Sequence, residues 1–72
     1  MIEKINNLAV IEIKKRAATY MKVNTEFRYG QAIFNATLDL FPFATNKLRN
    51  TEYDCYYYDD RVNEFLNQLI TC

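Results

Sequence analysis

The sequence predicts a small all-α domain: a bundle of three main helices and one short helix, with an ordered loop rich in tyrosine and aspartate before the last helix. Three observations predict this fold. Apolar residues recur at helical spacing along most of the chain, half of the 72 residues are hydrophobic, and the single glycine and single proline are Gly30 and Pro42. A chain of this length has room for one core, so residues 1–72 are expected to form one domain.

The first helix is predicted over residues 3–23. Residues 8–13 are rich in β-branched side chains and would also suit a strand, but no turn signal separates them from the sequence that follows, so a helix is favoured. Asn24 is expected to end this helix in the left-handed conformation. The apolar stripe comprises Ile5, Leu8, Ala9, Ile13, Ala17, Tyr20 and Met21.

The second helix is predicted over residues 26–41, with Thr25 as its N-cap. Its apolar residues extend nearly around the helix, which indicates a central position. Gly30 costs about 1 kcal/mol relative to alanine in a helix interior, so another element is expected to approach the backbone there. The apolar set comprises Phe27, Ile33, Phe34, Ala36, Leu38, Leu40 and Phe41.

Pro42 lacks an amide hydrogen, so it should end the second helix and begin a short third one over residues 43–49, with Asn50 as its stop. Residues 51–59 show neither helical nor strand periodicity and predict an ordered loop. Asp59 or Asp60 is expected to cap the last helix. That helix has a regular apolar stripe of Val62, Phe65, Leu66, Leu69 and Ile70.

Charge and composition exclude several functional classes. Nine basic residues balance nine acidic ones, so binding to nucleic acid through a basic surface and binding to an anionic membrane are not expected. The start of the chain predicts no signal peptide and no stretch predicts a membrane span, so a cytoplasmic location is expected. Cys55 and Cys72 should stay reduced, and Cys72, the last residue, should fray.

The residue types needed for common catalysis are missing. The chain has no histidine and no serine, and a single glycine cannot form a phosphate-binding loop. Cys55 has neither a histidine partner nor an evident helix N-terminus to lower its pKa, so a packing or loop role is favoured over a reactive thiol. We therefore predict that the protein is not an enzyme and binds no cofactor.

Four acidic residues lie close together in the sequence and could in principle bind a metal ion, but their spacing does not fit a calcium-binding loop. A calcium loop of the EF-hand type needs a central glycine and a glutamate at its twelfth position, but Phe65 stands twelfth from Asp54. The sequence therefore predicts no metal site. The acidic residues in question are Glu52, Asp54, Asp59 and Asp60.

Arg28, Gln31 and Asn35 are spaced so that they share one face of the second helix. If they face outward, they suit base contacts by a helix-turn-helix-like DNA-binding regulator. If they face inward, they form a structural network with the loop, whose backbone groups need partners. The lack of surrounding basic residues favours the internal network.

The loop carries the best candidates for contact with a partner. Its tyrosines suit an interaction hot spot, and neighbouring tyrosines cannot all point into the core. We expect core packing for two of them and a partner surface for the others. The candidates are Tyr53, Asp54, Tyr56, Tyr57 and Tyr58.

The region between residues 27 and 69 resembles a group of short proteins encoded by bacteriophages and prophages. Members of that group are expected to have glycine at the position of Asn50 and proline at the position of Cys55. Asparagine tolerates a left-handed helix stop, so the first difference is compatible with the same turn. The second difference, cysteine in place of proline, alters the expected path of the loop. The resemblance implies an origin in a phage or mobile element and implies no activity or catalytic residue. The residues that carry it are Arg28, Gly30, Gln31, Ala32, Phe34, Asn35, Pro42, Ala44, Leu48, Arg49, Asn50, Thr51, Asp54, Tyr56, Tyr57, Asp59, Arg61, Val62, Phe65 and Leu66.

These observations lead to one main functional hypothesis, that the protein is a small binding module whose partner is a host protein. A more specific version of this hypothesis is that it inhibits a host defence complex, such as a CRISPR or restriction nuclease. The alternatives are a DNA-binding regulator and a self-associating structural or virion protein, which would form a homo-oligomer.

Overall fold

The computed structural model describes residues 5–71, and the predicted all-α fold is confirmed. Residues 3 and 4 of the predicted first helix and the predicted fraying of Cys72 lie outside the described residues. A single 3-10 turn precedes the last helix, and an ordered loop precedes that turn. The helices are α1 (Asn7–Val23), α2 (Tyr29–Leu40), α3 (Pro42–Leu48) and α4 (Val62–Thr71), and the 3-10 turn is Asp59–Arg61.

Helix α1 begins at residue 7 because Asn6 caps it. The Asn6 Oδ1 accepts a hydrogen bond from the Ala9 amide at 3.1 Å, which satisfies an amide that has no partner within the helix. Residues 8–13 are helical, as favoured. Ile13 and Ala17 are buried, but Leu8 is 71% exposed, so its assignment to the core stripe was wrong.

The turn between α1 and α2 differs from the prediction. Asn24 is extended, with φ −133°, and not left-handed; its side chain accepts a hydrogen bond from the Glu26 amide at 3.0 Å. This local bond supports a longer turn, so Thr25 does not cap the second helix, which begins at Tyr29 after Arg28.

Helix α2 lies at the centre of the fold, as its wide apolar surface predicts. It packs against α1, α3 and the 3-10 turn. The hydroxyl of buried Thr37 donates to the Ile33 carbonyl at 2.7 Å, which removes the penalty for burying it. The other buried residues of α2 are Gly30, Ala32, Ile33, Phe34 and Ala36.

Pro42 stands at the first position of α3, where its missing amide hydrogen removes no helical bond. Phe41, predicted inside the second helix, lies at the junction between α2 and α3. Beyond α3, Asn50 has φ 63°, the left-handed helix stop expected there.

The predicted face of α4 is confirmed: Val62, Phe65, Leu66 and Leu69 are buried. The predicted cap of α4 is wrong. Among the described residues, neither of the two aspartates in the 3-10 turn caps α4; the carboxylate of Asp59 instead accepts a hydrogen bond from α2. Within residues 5–71, no helix combines the length and apolar character that crossing a bilayer would need.

Candidate functional site

The loop before α4 is hydrogen-bonded to α2 at Gly30. The Gly30 amide donates to Asp59 Oδ1 at 2.9 Å, and the Cys55 thiol donates to the Gly30 carbonyl at 3.4 Å. A β-carbon added at Gly30 would stand 2.2 Å from the Cys55 carbonyl oxygen. Only glycine fits this approach, which is the close contact that its position inside a helix predicts.

Asp59 therefore acts as a cap supplied from a distant part of the chain. Arg28 stands at the N-cap position of α2 and makes no side-chain capping bond, so the carboxylate of Asp59 serves the second residue of the helix instead. Negative charge at a helix N-terminus is also favourable to the helix dipole. The Arg28 Nε lies 3.9 Å from Asp59 Oδ2, but both side chains are well exposed and this ion pair contributes little.

The carboxylate of Asp54 organises the loop from within. Its Oδ2 accepts a hydrogen bond from the Asn50 amide at 2.7 Å, and its Oδ1 accepts one from the Tyr56 amide at 2.9 Å. Charge-assisted bonds of this kind are stronger than neutral ones. Asp54, a candidate for contact with a partner, thus lies in the framework that shapes the loop.

The polar face of α2 meets this loop. The Gln31 side-chain amide donates to the Tyr56 hydroxyl at 3.0 Å, while Arg28 faces Asp59. Asn35 is half-buried on the same side, and its side chain makes no hydrogen bond with the described residues. Of the three residues, Gln31 makes a hydrogen bond to the loop, Arg28 is exposed beside Asp59, and Asn35 has unused bonding capacity.

The loop tyrosines divide into two pairs. Tyr53 and Tyr56 are half-buried and pack against the core, whereas Tyr57 is 73% exposed and Tyr58 is 51% exposed. The rings of Tyr56 and Tyr57 contact edge to face, with centroids 4.8 Å apart. The Arg61 guanidinium lies 4.1 Å from the centroid of the Tyr58 ring. Each exposed ring therefore contacts a neighbouring side chain and still has most of its own surface accessible to solvent.

An open depression of about 380 Å³ lies between α2, the end of α3 and the loop. Phe34 forms part of its lining, and the ring of Tyr56 meets Phe34 edge-on at 5.6 Å. Polar side chains from all three segments surround these rings. The lining residues are Phe34, Asn35, Arg49, Asn50, Asp54, Tyr56 and Tyr57.

Arg49 is the residue of this depression that sequence reasoning missed. The sequence places it only at the end of the predicted third helix and among the residues that carry the phage resemblance. Its guanidinium stands 5.6 Å from the centroid of the Phe34 ring, and it forms no ion pair within residues 5–71. A guanidinium that forms no ion pair and lies beside an aromatic ring is suited to recognition of an anionic group.

The chemistry of Cys55 is that of a packed thiol. The side chain is buried, and burial, followed by the negative charge of Asp54, raises the pKa of the Cys55 thiol to about 12. The thiol therefore stays protonated at neutral pH and is a poor nucleophile. In the described part of the chain, no group of three or more carboxylate or cysteine side chains is arranged to hold a metal ion.

No known protein family, curated protein or solved structure matches this chain. The resemblance to phage-encoded proteins stays a prediction from the sequence.

Proposed function

We propose that this protein is a non-enzymatic binding module that engages another protein through its tyrosine face, defined as Tyr57, Tyr58 and the adjoining depression. The observation that carries the proposal is the exposure of two neighbouring aromatic side chains on a loop that is fastened to the central helix. Aromatic side chains dominate the energetics of many interfaces. A loop already held in place loses less conformational entropy on binding than a mobile one.

The proposed partner is a host protein, and the proposed place of action is the cytoplasm of the host cell. This part rests on the sequence resemblance to proteins of phages and prophages. Inhibition of a host defence complex, such as a CRISPR or restriction nuclease, is the specific form that we propose, because such inhibition requires binding and no catalysis.

The test is an affinity capture from host lysate that compares three forms of the tagged protein. The wild type and a Phe43→Ala control should recover the same partner, because Phe43 is a 69% exposed aromatic residue on α3 outside the tyrosine face. The double variant Tyr57→Ala and Tyr58→Ala should recover at least about tenfold less, as expected when hot-spot rings are removed. Recovery of the same partner by all three forms would refute the role of this face, and loss of the partner on nuclease treatment would refute direct binding to a protein.

A second candidate is self-association, supported by a groove of about 540 Å³ between α1 and α4. Ile11 lines this groove and is 49% exposed, so part of its apolar surface is available for contact with another helix. A second copy packed there would bury apolar surface from both helices. Sedimentation of the wild type at micromolar concentration should then show a discrete oligomer that Ile11→Glu converts to monomer, whereas a monomeric wild type would remove this candidate.

The DNA-binding alternative has less support. Gln31 donates a hydrogen bond to the Tyr56 hydroxyl, and the Asp59 carboxylate lies 3.9 Å from Arg28, where its negative charge opposes the approach of DNA. A gel shift at low salt is the direct test, since nonspecific phosphate contacts are strongest there. Absence of any shift would eliminate the regulator.

A further inference from the structure

We infer that the depression beside Tyr57 receives a carboxylate side chain, from an aspartate or glutamate of the protein partner, and that Arg49 and Asn35 hold it. This inference rests on the proposed function and specifies the chemistry of the partner at that face. The carboxylate would come from a partner segment that also contacts the exposed tyrosine ring.

The first step of the argument is the state of Arg49. Its side chain is exposed and has no carboxylate partner within residues 5–71, although carboxylates are abundant in the neighbouring loop. One of them, Asp54, also lines the depression, but both of its oxygens already accept backbone amide hydrogens. The five N–H donors of the guanidinium thus remain available, in a fork that matches a carboxylate.

The second step concerns Asn35, which lies in the middle of α2. Asparagine is a poor helix former, and the side-chain amide of half-buried Asn35 makes no hydrogen bond inside the described fold. Its polar atoms are not buried, so they can bond to a ligand in the depression. Asn35 and Arg49 line the same depression from different helices, so together they present donors to one bound group.

The third step is preorganisation. Asp54 holds the backbone at Asn50 and Tyr56, and Gln31 holds the Tyr56 hydroxyl. These bonds fix the loop side of the depression without using the donors of Arg49. A wall that is ordered before binding keeps the entropic cost of binding low.

The fourth step chooses the ligand. The carboxylate of Asp54 lies in the lining of the depression, and Glu52, Asp59 and Asp60 add further negative charge to the same loop region. A phosphate dianion would be repelled by these charges more strongly than a single carboxylate would. A group with one negative charge and a planar pair of oxygens is therefore favoured over a phosphate monoester or free phosphate.

The experiment is a titration of the ¹⁵N-labelled full chain, followed by NMR, with three probes: acetyl-Phe-Glu-amide, acetyl-Phe-Gln-amide and inorganic phosphate. The glutamate peptide should shift the side-chain amide signals of Asn35 and the Nε–H signal of Arg49 in a saturable way. The glutamine peptide should bind about tenfold more weakly, because it lacks the charge that strengthens the bonds to Arg49.

Two variants and a matched control test the role of Arg49. Arg49→Gln should abolish the shifts, and Arg49→Lys should weaken them, because lysine keeps the charge at the end of α3 but loses the paired donors. Lys47→Gln is the control, since Lys47 is an exposed cation on α3 outside the depression and should leave the titration unchanged. The backbone spectrum of each variant reports whether the fold is intact.

In the NMR titrations, three results would overturn the inference: no saturable shift with the glutamate peptide, equal affinity for the two peptides, or tighter binding of phosphate than of the glutamate peptide. In the lysate capture, full recovery by Arg49→Gln together with loss by the tyrosine double variant would overturn this inference and leave the proposed function standing. Failure of the wild type to capture any specific protein would overturn the proposed function, whatever the peptides show.

Discussion

Replacing Gly30 with alanine should destabilise the protein, although alanine is the better helix former. The added methyl group would stand 2.2 Å from the Cys55 carbonyl oxygen and 3.1 Å from Asp59 Oδ1. Because non-bonded heavy atoms prefer a separation of about 3.5 Å, the loop must retreat from α2 by about 1 Å. That movement also strains the Gly30–Asp59 hydrogen bond that caps α2.

The size of the effect follows from three contributions. Overpacking costs about 1–3 kcal/mol, and loss of a helix cap costs about 1 kcal/mol. The intrinsic preference of the helix for alanine returns at most about 1 kcal/mol, because Gly30 is the second residue of α2 and not in its interior. We expect Gly30→Ala to lower the free energy of unfolding by about 2 kcal/mol, which corresponds to a fall in Tm of roughly 8 to 16 °C for a domain of this size.

The assay is urea unfolding of the wild type and the variant, followed by circular dichroism, with the midpoint and the slope fitted separately. Ala18→Gly is the matched control, because Ala18 is exposed within α1 and the change measures the helix-propensity contribution alone, a loss of about 1 kcal/mol. A Gly30→Ala variant as stable as the wild type, or more stable, would refute the close approach of the loop to α2.

Three further predictions concern neighbouring features. Asn50→Ala should destabilise by about 1 kcal/mol and Asn50→Gly should not, when both are measured by thermal unfolding, because the backbone there is left-handed. Asp59→Ala should lose about 1 kcal/mol in urea unfolding by removing the cap of α2, whereas Asp60→Ala, which removes an exposed carboxylate without a hydrogen bond in the described fold, should change little. Burial raises the pKa of the Cys55 thiol to about 12, and the hydrogen bond to Asp39 raises the pKa of the Tyr20 hydroxyl. Both groups therefore lose their protons at a lower pH in the unfolded chain than in the folded one. The free energy of unfolding should fall as the pH rises above about 9. Cys55→Ala should flatten that alkaline decline in urea unfolding, and an unchanged slope would contradict the assigned cause.

Elements governed by local chemistry could be predicted from the sequence. The apolar stripe of α4 identifies its buried face, and Pro42 and Asn50 mark the two ends of α3 because each has a backbone requirement of its own. Gly30 signalled a close contact because glycine is unfavourable inside a helix, and the structure supplies that contact as the Cys55 carbonyl.

Features that depend on distant partners could not be predicted in this way. Asp59 precedes α4 in sequence and looked like its cap, yet its hydrogen-bond donor lies 29 residues earlier, in α2. Periodicity suggested that Leu8 was buried but cannot show where a neighbouring helix stops covering it. Arg49 was missed because the depression it lines is formed by three separate segments, which meet only in the folded chain.

The hydrogen bonds that hold the loop in place do not involve the tyrosine side chains that the loop exposes. Its attachments to α2 use the Cys55 thiol and the Asp59 carboxylate, and its internal bonds use the Asp54 carboxylate. The side chains of Tyr57 and Tyr58 supply none of these bonds. Mutations at these two positions can therefore alter the chemistry of the exposed surface while the backbone keeps its path, so substitutions there need no compensating changes in the core.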